Sequence, residues 1–291
     1  MMIQKEKYIH FGGDEVDHPS FESSRIVVLP FCYEQCPSYG TGSREGPVHI
    51  LNASCQLERM DEETMMDWTH RFIHTHAPIY PSPNPETAVQ EMKDAACMVF
   101  ESGKFLLCLG GDHAITIGPV MAAKKLWPNL GVLQIDAHAD LRNQWNGSKF
   151  NHACVMRRLV DDLNVSIVQV GIRSFSPEEA ELIRERNYAP FYAHTIDPLR
   201  EEWMNLVVAK LPSHVYITLD LDGLDPSVIP GTGTPEPGGL TYRQVVKLIE
   251  TVGENKKVIG ADICELTKIE GFSASEFTAA KLATKFFVFC T

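Results

Sequence analysis

The feature that most constrains the fold is a regular alternation of short apolar runs with longer segments of helical period. The apolar runs have no polar face, which is typical of parallel strands covered by helices on both sides. The runs lie at 25–30, 105–110, 131–136, 165–171, 214–222 and 257–263, and the helical segments at 85–103, 114–126, 152–162, 177–187, 241–252 and 275–289. This alternation predicts an α/β fold of three layers, α/β/α, with a central, mostly parallel sheet.

No repeat, low-complexity tract or linker divides this series. The 291 residues, 44% of them hydrophobic, are enough for one large core. We therefore expect a single domain over 1–291, in which 1–24 form an N-terminal extension. The Gly- and Pro-rich stretch CPSYGTGSREGPV, from about 36 to 48, is predicted to be a loop. The segment FGGDEVDH near the N-terminus follows no strand and is predicted to be solvated.

Composition and charge exclude several classes of protein. A net charge of −12 argues against nucleic-acid binding and is compatible with cationic small substrates. The sequence has no apolar run of about 18 residues and no signal-peptide core at its start, so we expect a cytoplasmic protein without a membrane partner. The eight cysteines are interpreted as reduced thiols, because Cys32 and Cys36 have no second pair with which to form a metal knuckle.

Polar residues follow three of the predicted strands at the point where each strand ends. In a sheet of this type the carboxyl ends of the strands form the functional edge. Because side chains alternate along a strand, Asp136 and His138 point the same way, and so do Asp220 and Asp222. The strand ends thus direct six candidate ligands to one crevice: His113, Asp136, His138, Asp140, Asp220 and Asp222.

The four carboxylates of this set require cations nearby. Taken singly, each motif is also compatible with a turn or a capped helix, but their coincidence at three strand ends favours a metal site. Two divalent ions cancel four carboxylates, whereas one ion leaves two negative charges uncompensated. The oxygen-rich donor set favours two Mn2+, with Ni2+, Co2+ or Fe2+ as other possibilities. Two such ions activate a water, so the sequence predicts a hydrolase.

Five ordered motifs carry a resemblance to a known family: GGDHAITIG, IDAHADLR, HACVMRR, TLDLDGLDPSVIPGTGTPEPGGLT and DICEL. They resemble the ureohydrolase family of arginases and agmatinases, most of all the prokaryotic agmatinases. The resemblance implies the arginase-like fold, a dinuclear manganese centre, hydrolysis of a guanidino group to urea and an amine, and a homotrimer or homohexamer. It implies one metal held by His113, Asp136, Asp140 and Asp220, and another held by Asp136, His138, Asp220 and Asp222.

The same resemblance implies roles for three residues in attack by a metal-bridging hydroxide. Glu265 would bind the guanidinium, since a carboxylate accepts two parallel N–H bonds from that planar group. His152 would pass a proton to the leaving amine, with an unperturbed imidazole pKa suited to the task, and Asp140 would stabilise the tetrahedral intermediate. The alternative for Glu265 is an ordinary surface charge at the end of a strand, and without the resemblance His152 would be interpreted as a helix-capping residue.

The loop LRNQWNGSKFN departs from arginases, because Arg142 stands where they have the asparagine that binds the substrate α-carboxylate. The motifs SKFNHACVMRR, VQVGIRS and GTGTPEPGGL most resemble agmatinases, which implies agmatine as the substrate and putrescine and urea as the products, in polyamine biosynthesis. Arg142 either pairs with an acidic neighbour or binds a substrate carboxylate, and the second alternative favours guanidinobutyrate or guanidinopropionate. Two further alternatives are a deacetylase-like enzyme with a single zinc on Asp136, His138 and Asp222, and an inactive binding protein. The sequence motif GTGTPEPGG is expected to border the crevice.

Overall fold

A single sheet of parallel strands forms the centre of the computed structural model, which describes residues 8–291. In this part of the chain the sheet has eight strands in the order β2-β1-β3-β8-β7-β4-β5-β6. The strands are β1 (Ile26–Phe31), β2 (Ile73–Thr75), β3 (Phe105–Gly110), β4 (Gly131–Ile135), β5 (Ser166–Ile172), β6 (Phe191–Tyr192), β7 (His214–Asp220) and β8 (Lys257–Cys264). Residues 1–7 of the predicted N-terminal extension lie outside the described part.

Helices cover both faces of the sheet, as the apolar character of the central strands predicts. One buried cluster lies under α1, α6, α7 and α8, and a second lies under α2, α3, α4 and α5. The helices are α1 (Gly46–Ser54), α2 (Pro85–Glu101), α3 (Ile117–Leu126), α4 (Val155–Asp161), α5 (Pro177–Glu185), α6 (Glu202–Lys210), α7 (Tyr242–Asn255) and α8 (Ala274–Phe289). The predicted three-layer α/β/α fold is confirmed, and every strand pair is parallel.

Local sequence signals set the starts of several helices. The side chain of Asn84 accepts the Thr87 N–H and caps α2, whose first residue is a proline. Capping boxes begin α5, between Ser176 and Glu179, and α7, between Thr241 and Gln244. These caps fix where the chain turns back from the sheet edge.

Four elements were absent from the sequence prediction: β2, β6, α1 and α6. The two strands have only three and two residues, too few for an apolar run to be recognised. The predicted loop at 36–48 is wrong at its end, because a 3-10 turn at Ser43–Glu45 leads into α1 at Gly46. Pro47 is accommodated there because the first turn of a helix leaves its N–H groups without helical partners.

The N-terminal segment FGGDEVDH is only partly solvated. Asp14 and Asp17 are exposed as predicted, but Phe11 is fully buried and packs edge-to-face on Trp68 at 5.6 Å between ring centroids. An apolar anchor therefore fixes this segment to the body of the protein, and that part of the prediction is wrong.

All eight cysteines are free thiols, as the sequence analysis expected. Among residues 8–291, no helix combines the length and apolar character needed to span a bilayer.

Candidate active site

The candidate site lies at the carboxyl ends of four strands that are neighbours in the sheet, β3, β8, β7 and β4. Each strand ends in or runs into polar residues, because the following backbone turns away from the sheet at this edge. A cavity of about 290 Å³ opens there. Its walls include His113, His138, Asp140, Arg142, His152, Asp220, Asp222 and Glu265.

Asp136 lies beneath this cavity, with no exposed surface, and faces both histidines. Its Oδ2 is 3.1 Å from His113 Nδ1, and its Oδ1 is 3.7 Å from His138 Nδ1. The same His113 nitrogen lies 2.8 Å from Asp140 Oδ2 and 3.4 Å from Asp220 Oδ2. The structure therefore brings the predicted ligands of one half of the site around His113.

The second half of the site is built around His138. Its Nδ1 lies 3.0 Å from Asp222 Oδ2, and Asp222 is nearly fully buried. Asp136, His138 and Asp222 form one group with ligand atoms close enough for a metal ion, and His113, Asp136 and Asp140 form another. Asp136 is common to both groups, which is the position that a bridging carboxylate needs.

The hydrogen bonds of His113 test whether a cation fits. His113 Nε2 lies 2.8 Å from Thr218 Oγ1, and the Thr218 hydroxyl donates to Asp262 Oδ1 at 2.7 Å. Because that hydroxyl has only one hydrogen, Thr218 accepts from His113, which places the ring hydrogen on Nε2. Nδ1 then faces three carboxylates, and it has no hydrogen-bond partner among the described residues. A metal ion at Nδ1 would satisfy this nitrogen and the carboxylates around it, so the donor set fits one.

The pKa values of the buried groups reflect the same excess of negative charge. Burial and the neighbouring Asp136 raise the pKa of Asp140 to about 7, and burial and Asp222 raise the pKa of Asp220 well above its usual value. Burial lowers the pKa of His138, but Asp222 and Asp136 outweigh burial and raise it to about 12. Protonation is thus more favourable than usual at Asp140 and Asp220 without a cation, and a bound cation would favour their ionised forms.

Glu265 reaches the cavity because its backbone turns sharply after β8. Its φ is +67°, in the left-handed region that is unfavourable for a side chain, and its N–H donates to Gly111 O at 2.7 Å. Oε1 of Glu265 accepts the backbone N–H of His113 at 2.7 Å. Burial, with a contribution from Asp112, raises the pKa of Glu265 well above its usual value. A cationic ligand would therefore favour the ionised carboxylate.

His152 begins a 3-10 turn that leads into α4, and the Asn151 side chain caps this turn. His152 Nε2 lies 2.9 Å from Ser38 Oγ. Burial, then the positive charges of His113 and His138, lower the pKa of His152 to about 4. The sequence predicts an unperturbed imidazole pKa, and the pKa of His152 differs because the side chain is withdrawn from water.

Arg142 lies on the wall of the cavity but already has neighbours for its charge. Its guanidinium carbon is 4.3 Å from the centre of the Trp145 ring, and its Nε is 4.0 Å from Glu179 Oε2. Stacking on an aromatic ring and proximity to a carboxylate both stabilise a guanidinium. This arrangement supports pairing with an acidic neighbour, which was the first of the two alternatives for Arg142.

Two loops complete the cavity. The GTGTPEPGG loop contributes Gly233 and Thr234, as expected for a loop that borders the crevice, and Thr234 Oγ1 donates to Asp222 Oδ2 at 3.2 Å. The loop after β1 contributes Ser38 and Gly40. Gly40 packs closely on the backbone of Gly233: a Cβ added to Gly40 would lie only 2.9 Å from the Gly233 Cα. No functional role was predicted for the loop after β1. The Gly-rich composition of this loop is the only sequence feature that could have indicated its position at the cavity.

Comparisons with known proteins agree with this geometry. The sequence profile of the arginase family matches residues 24–288, and the chain belongs to this family. Its relatives define it further as a ureohydrolase. It is 40% identical to the N(1)-aminopropylagmatine ureohydrolase of Synechocystis over 91% of this chain and 89% of that protein. It is 32% identical to the agmatinase of Bacillus anthracis over 90% of each chain.

Solved structures agree with the sequence relatives. The agmatine ureohydrolase of Thermoplasma volcanium has a TM-score of 0.85 at 31% identity, covering 92% of this chain and 90% of that one. The arginase of Bacillus cereus has a TM-score of 0.79 at 27% identity, covering 91% of this chain and 98% of that one. The predicted family and the predicted hydrolase class are therefore confirmed.

Proposed function

We propose that this ureohydrolase hydrolyses agmatine to putrescine and urea at a two-metal site. The observation that carries the proposal is the position of Asp136, whose two carboxylate oxygens face His113 and His138 separately. A carboxylate shared between two imidazoles in a ring of further carboxylates is suited to a pair of divalent ions. The ions would also satisfy His113 Nδ1, which faces three carboxylates and has no hydrogen-bond partner among the described residues.

The proposed ligands follow the two halves of the site. His113, Asp136, Asp140 and Asp220 hold one ion, and Asp136, His138, Asp220 and Asp222 hold the other. Mn2+ is the proposed metal because oxygen ligands dominate, and Ni2+, Co2+ or Fe2+ are alternatives. When bound, the two ions supply a water of lowered pKa as the nucleophile.

Glu265 binds and orients the guanidinium in this proposal. Its Oε1 is already used by the His113 N–H, so Oε2 and the remaining lone pair of Oε1 face the substrate. The carboxylate then accepts N–H bonds from the planar guanidinium and holds its carbon over the site. Asp140, which also lines the cavity, accepts a hydrogen bond as that carbon becomes tetrahedral.

His152 moves the proton. Its lowered pKa keeps the imidazole neutral at pH 7, so it first accepts a proton released by the attacking water. The imidazolium then gives this proton to the leaving amine nitrogen, and the C–N bond breaks. The amine takes a second proton from the hydroxyl on the guanidino carbon, so that putrescine leaves as an ammonium and the carbon leaves as urea. One imidazole thus acts as base and then as acid in a single turnover.

A second candidate substrate is N(1)-aminopropylagmatine. The relative that carries this name is 40% identical, whereas the agmatinase of Bacillus anthracis is 32% identical. Both substrates present a guanidino group on a cationic chain. The neighbours of Arg142 make the acidic alternatives, guanidinobutyrate and guanidinopropionate, less favourable, because its guanidinium already lies near Glu179.

The whole chain is proposed to form one domain and to act in the cytoplasm as a homotrimer or homohexamer, without nucleic-acid or membrane partners. A deacetylase-like site with one zinc ion is the alternative metal centre. It uses only Asp136, His138 and Asp222, so the number of ions bound per chain distinguishes it from the proposed site.

The test is urea release by Mn2+-loaded protein against agmatine, N(1)-aminopropylagmatine, arginine, guanidinobutyrate and guanidinopropionate. We expect kcat/KM for one of the two cationic amines to exceed that for every acid. Preference for an acid would overturn the substrate and assign Arg142 to a carboxylate. Metal analysis that finds one zinc ion per chain and no urea from any compound would overturn the two-metal proposal.

A further inference from the structure

Two glutamines lie side by side in the sheet directly beneath the candidate site. Gln134, on β4, has no exposed surface, and Gln169, on β5, is 3% exposed. They are register partners in the parallel ladder between these strands. Buried amides in a central strand are costly unless all their bonds are made, and the proposed mechanism uses neither residue.

The amide of Gln169 has a defined orientation. Its Nε2 lies 2.6 Å from Gln134 Oε1 and 2.8 Å from Ala139 O, and both of these atoms are acceptors. Exchanging the amide nitrogen and oxygen would place oxygen against oxygen twice, so the NH2 group must occupy this position. Gln169 therefore donates to Gln134 and to the loop after β4.

The hydrogen bonds of the Gln134 amide run in the same direction, from Gln169 toward Asp136. Its Oε1 accepts from Gln169, and its Nε2 donates to Asp136 Oδ2 at 2.7 Å and to His138 O at 3.2 Å. Hydrogen bonds in such a chain polarise one another, so the donation from Gln169 strengthens the bond to Asp136. The two amides form a directed chain that ends on the carboxylate between the two histidines.

This chain of bonds fixes the conformation of the loop that carries the ligands. Asp136 Oδ1 accepts the His138 N–H at 2.6 Å while Gln134 holds Oδ2, so neither oxygen can rotate freely. The carbonyls of His138 and Ala139 are bound from below by the two amides. Asp140 follows at a φ of +52°, an unfavourable conformation that needs support from its surroundings.

We propose that Gln134 and Gln169 are positioning residues that set the metal affinity of the site by holding Asp136 and the 137–140 loop in their ligand conformation. This inference rests on the proposed two-metal function. Neither amide touches substrate or metal. Gln134 acts directly on Asp136, whereas Gln169 acts on Asp136 only through Gln134.

The test is competition for Mn2+ between the loaded full-length chain and a fluorescent chelator. Gln134→Met removes the donor to Asp136 at similar volume, and we expect the affinity of at least one ion to fall about 10–100-fold, as for other outer partners of metal ligands. Gln169→Met is expected to lower the affinity less. If the two amides act as one chain, the double variant will lose less than the product of the two single effects.

Thr75→Val is the matched control. Thr75 is fully buried, and its hydroxyl accepts the Phe11 N–H at 2.9 Å on the edge strand β2, away from the site. Urea denaturation of each protein in excess chelator measures the general loss of stability, which we expect to be similar for Thr75→Val and Gln134→Met. Only the glutamine variants are expected to lose Mn2+ affinity.

Mn2+ affinity within twofold of the parent in both glutamine variants would overturn the inference and leave the pair a merely structural role. Should Gln134→Met not fold, the comparison of Gln169→Met with Thr75→Val decides by the same criterion. Failure of the parent protein to bind two Mn2+ would instead overturn the proposed function, so the two failures are distinguishable.

Discussion

Glu265→Gln tests the proposal that Glu265 binds the guanidinium from a backbone position in the left-handed region. The Glu265 carboxylate gives Oε1 to the His113 N–H and keeps Oε2 for a ligand. A glutamine can keep its single oxygen toward His113, and its NH2 group then faces the substrate. The variant should therefore fold and bind metal normally, while its substrate-facing atom changes from a charged acceptor to a donor.

The expected loss follows from these two changes. A hydrogen bond to a charged group contributes about 1.5–3 kcal/mol, and leaving a buried donor without a partner costs about 1–3 kcal/mol. Together they give roughly 2.5–6 kcal/mol, and since each 1.36 kcal/mol is tenfold in rate, kcat/KM should fall by roughly 10²–10⁴. Metal ions bound at the proposed site and the cationic substrate would favour the ionised form of Glu265 despite its raised pKa, so the charge would be available to be lost.

The assay is urea release from agmatine or N(1)-aminopropylagmatine at saturating Mn2+, with bound metal measured in parallel. Glu270→Gln is the control, because Glu270 is an exposed glutamate on the same stretch of chain and the substitution is identical. A kcat/KM within threefold of the parent, with metal retained, would refute guanidinium binding by Glu265. Loss of metal would show that this residue acts on His113 instead.

Three further substitutions test the site and the fold. Asp136→Asn should abolish urea release and lower the bound metal below two ions per chain, because the shared carboxylate loses its charge; metal analysis and the urea assay measure both. Lys285→Met should lower the free energy of unfolding by about 3–5 kcal/mol in urea denaturation, since the fully buried ammonium is paired with carboxylates that would lose their partner. Lys281 is paired with Glu62, and both side chains are more exposed. This pair should contribute about 1 kcal/mol or less to the free energy of unfolding, so Lys281→Met is the control. Bonds from the Ser227 hydroxyl and from backbone N–H groups lower the pKa of Asp225 to about 2. The stability lost in Asp225→Asn should therefore be complete above about pH 4 and should vanish as the pH falls through 2, which acid titration of both proteins measures. Equal unfolding free energies of Asp225→Asn and the parent at neutral pH would contradict the role given to Asp225. A loss of stability in Lys285→Met no larger than in Lys281→Met would contradict the role given to Lys285.

The sequence by itself determined the fold class and the chemical character of the site. Apolar runs without a polar face require a sheet covered on both sides, and polar residues directly after such runs must lie at its carboxyl edge. These rules are local, so they gave the strands and the candidate ligands at His113, Asp136 and Asp220 before their contacts were known.

Only the tertiary structure decided which strand ends meet. The site lies on β3, β8, β7 and β4, which are neighbours in the sheet although the chain visits them in another order. Glu265, directly after β8, thereby accepts the backbone N–H of His113 at its Oε1, a contact across 152 positions in the sequence. Hydrophobic periodicity carries no information about which strands are neighbours, because the apolar pattern of one strand is compatible with pairing to any other apolar strand.

The structure also decided how each polar side chain is held. In the sequence, Gln134 and Gln169 are single polar residues within apolar strands. Their role depends on the strand register that places them side by side. Ser38 lies in a loop with no hydrophobic pattern, yet its hydroxyl lies 2.9 Å from His152 Nε2. Residue type and spacing thus determined which chemistry this chain can perform, while orientation and hydrogen bonding depended on contacts between distant segments, which only the packed fold provides.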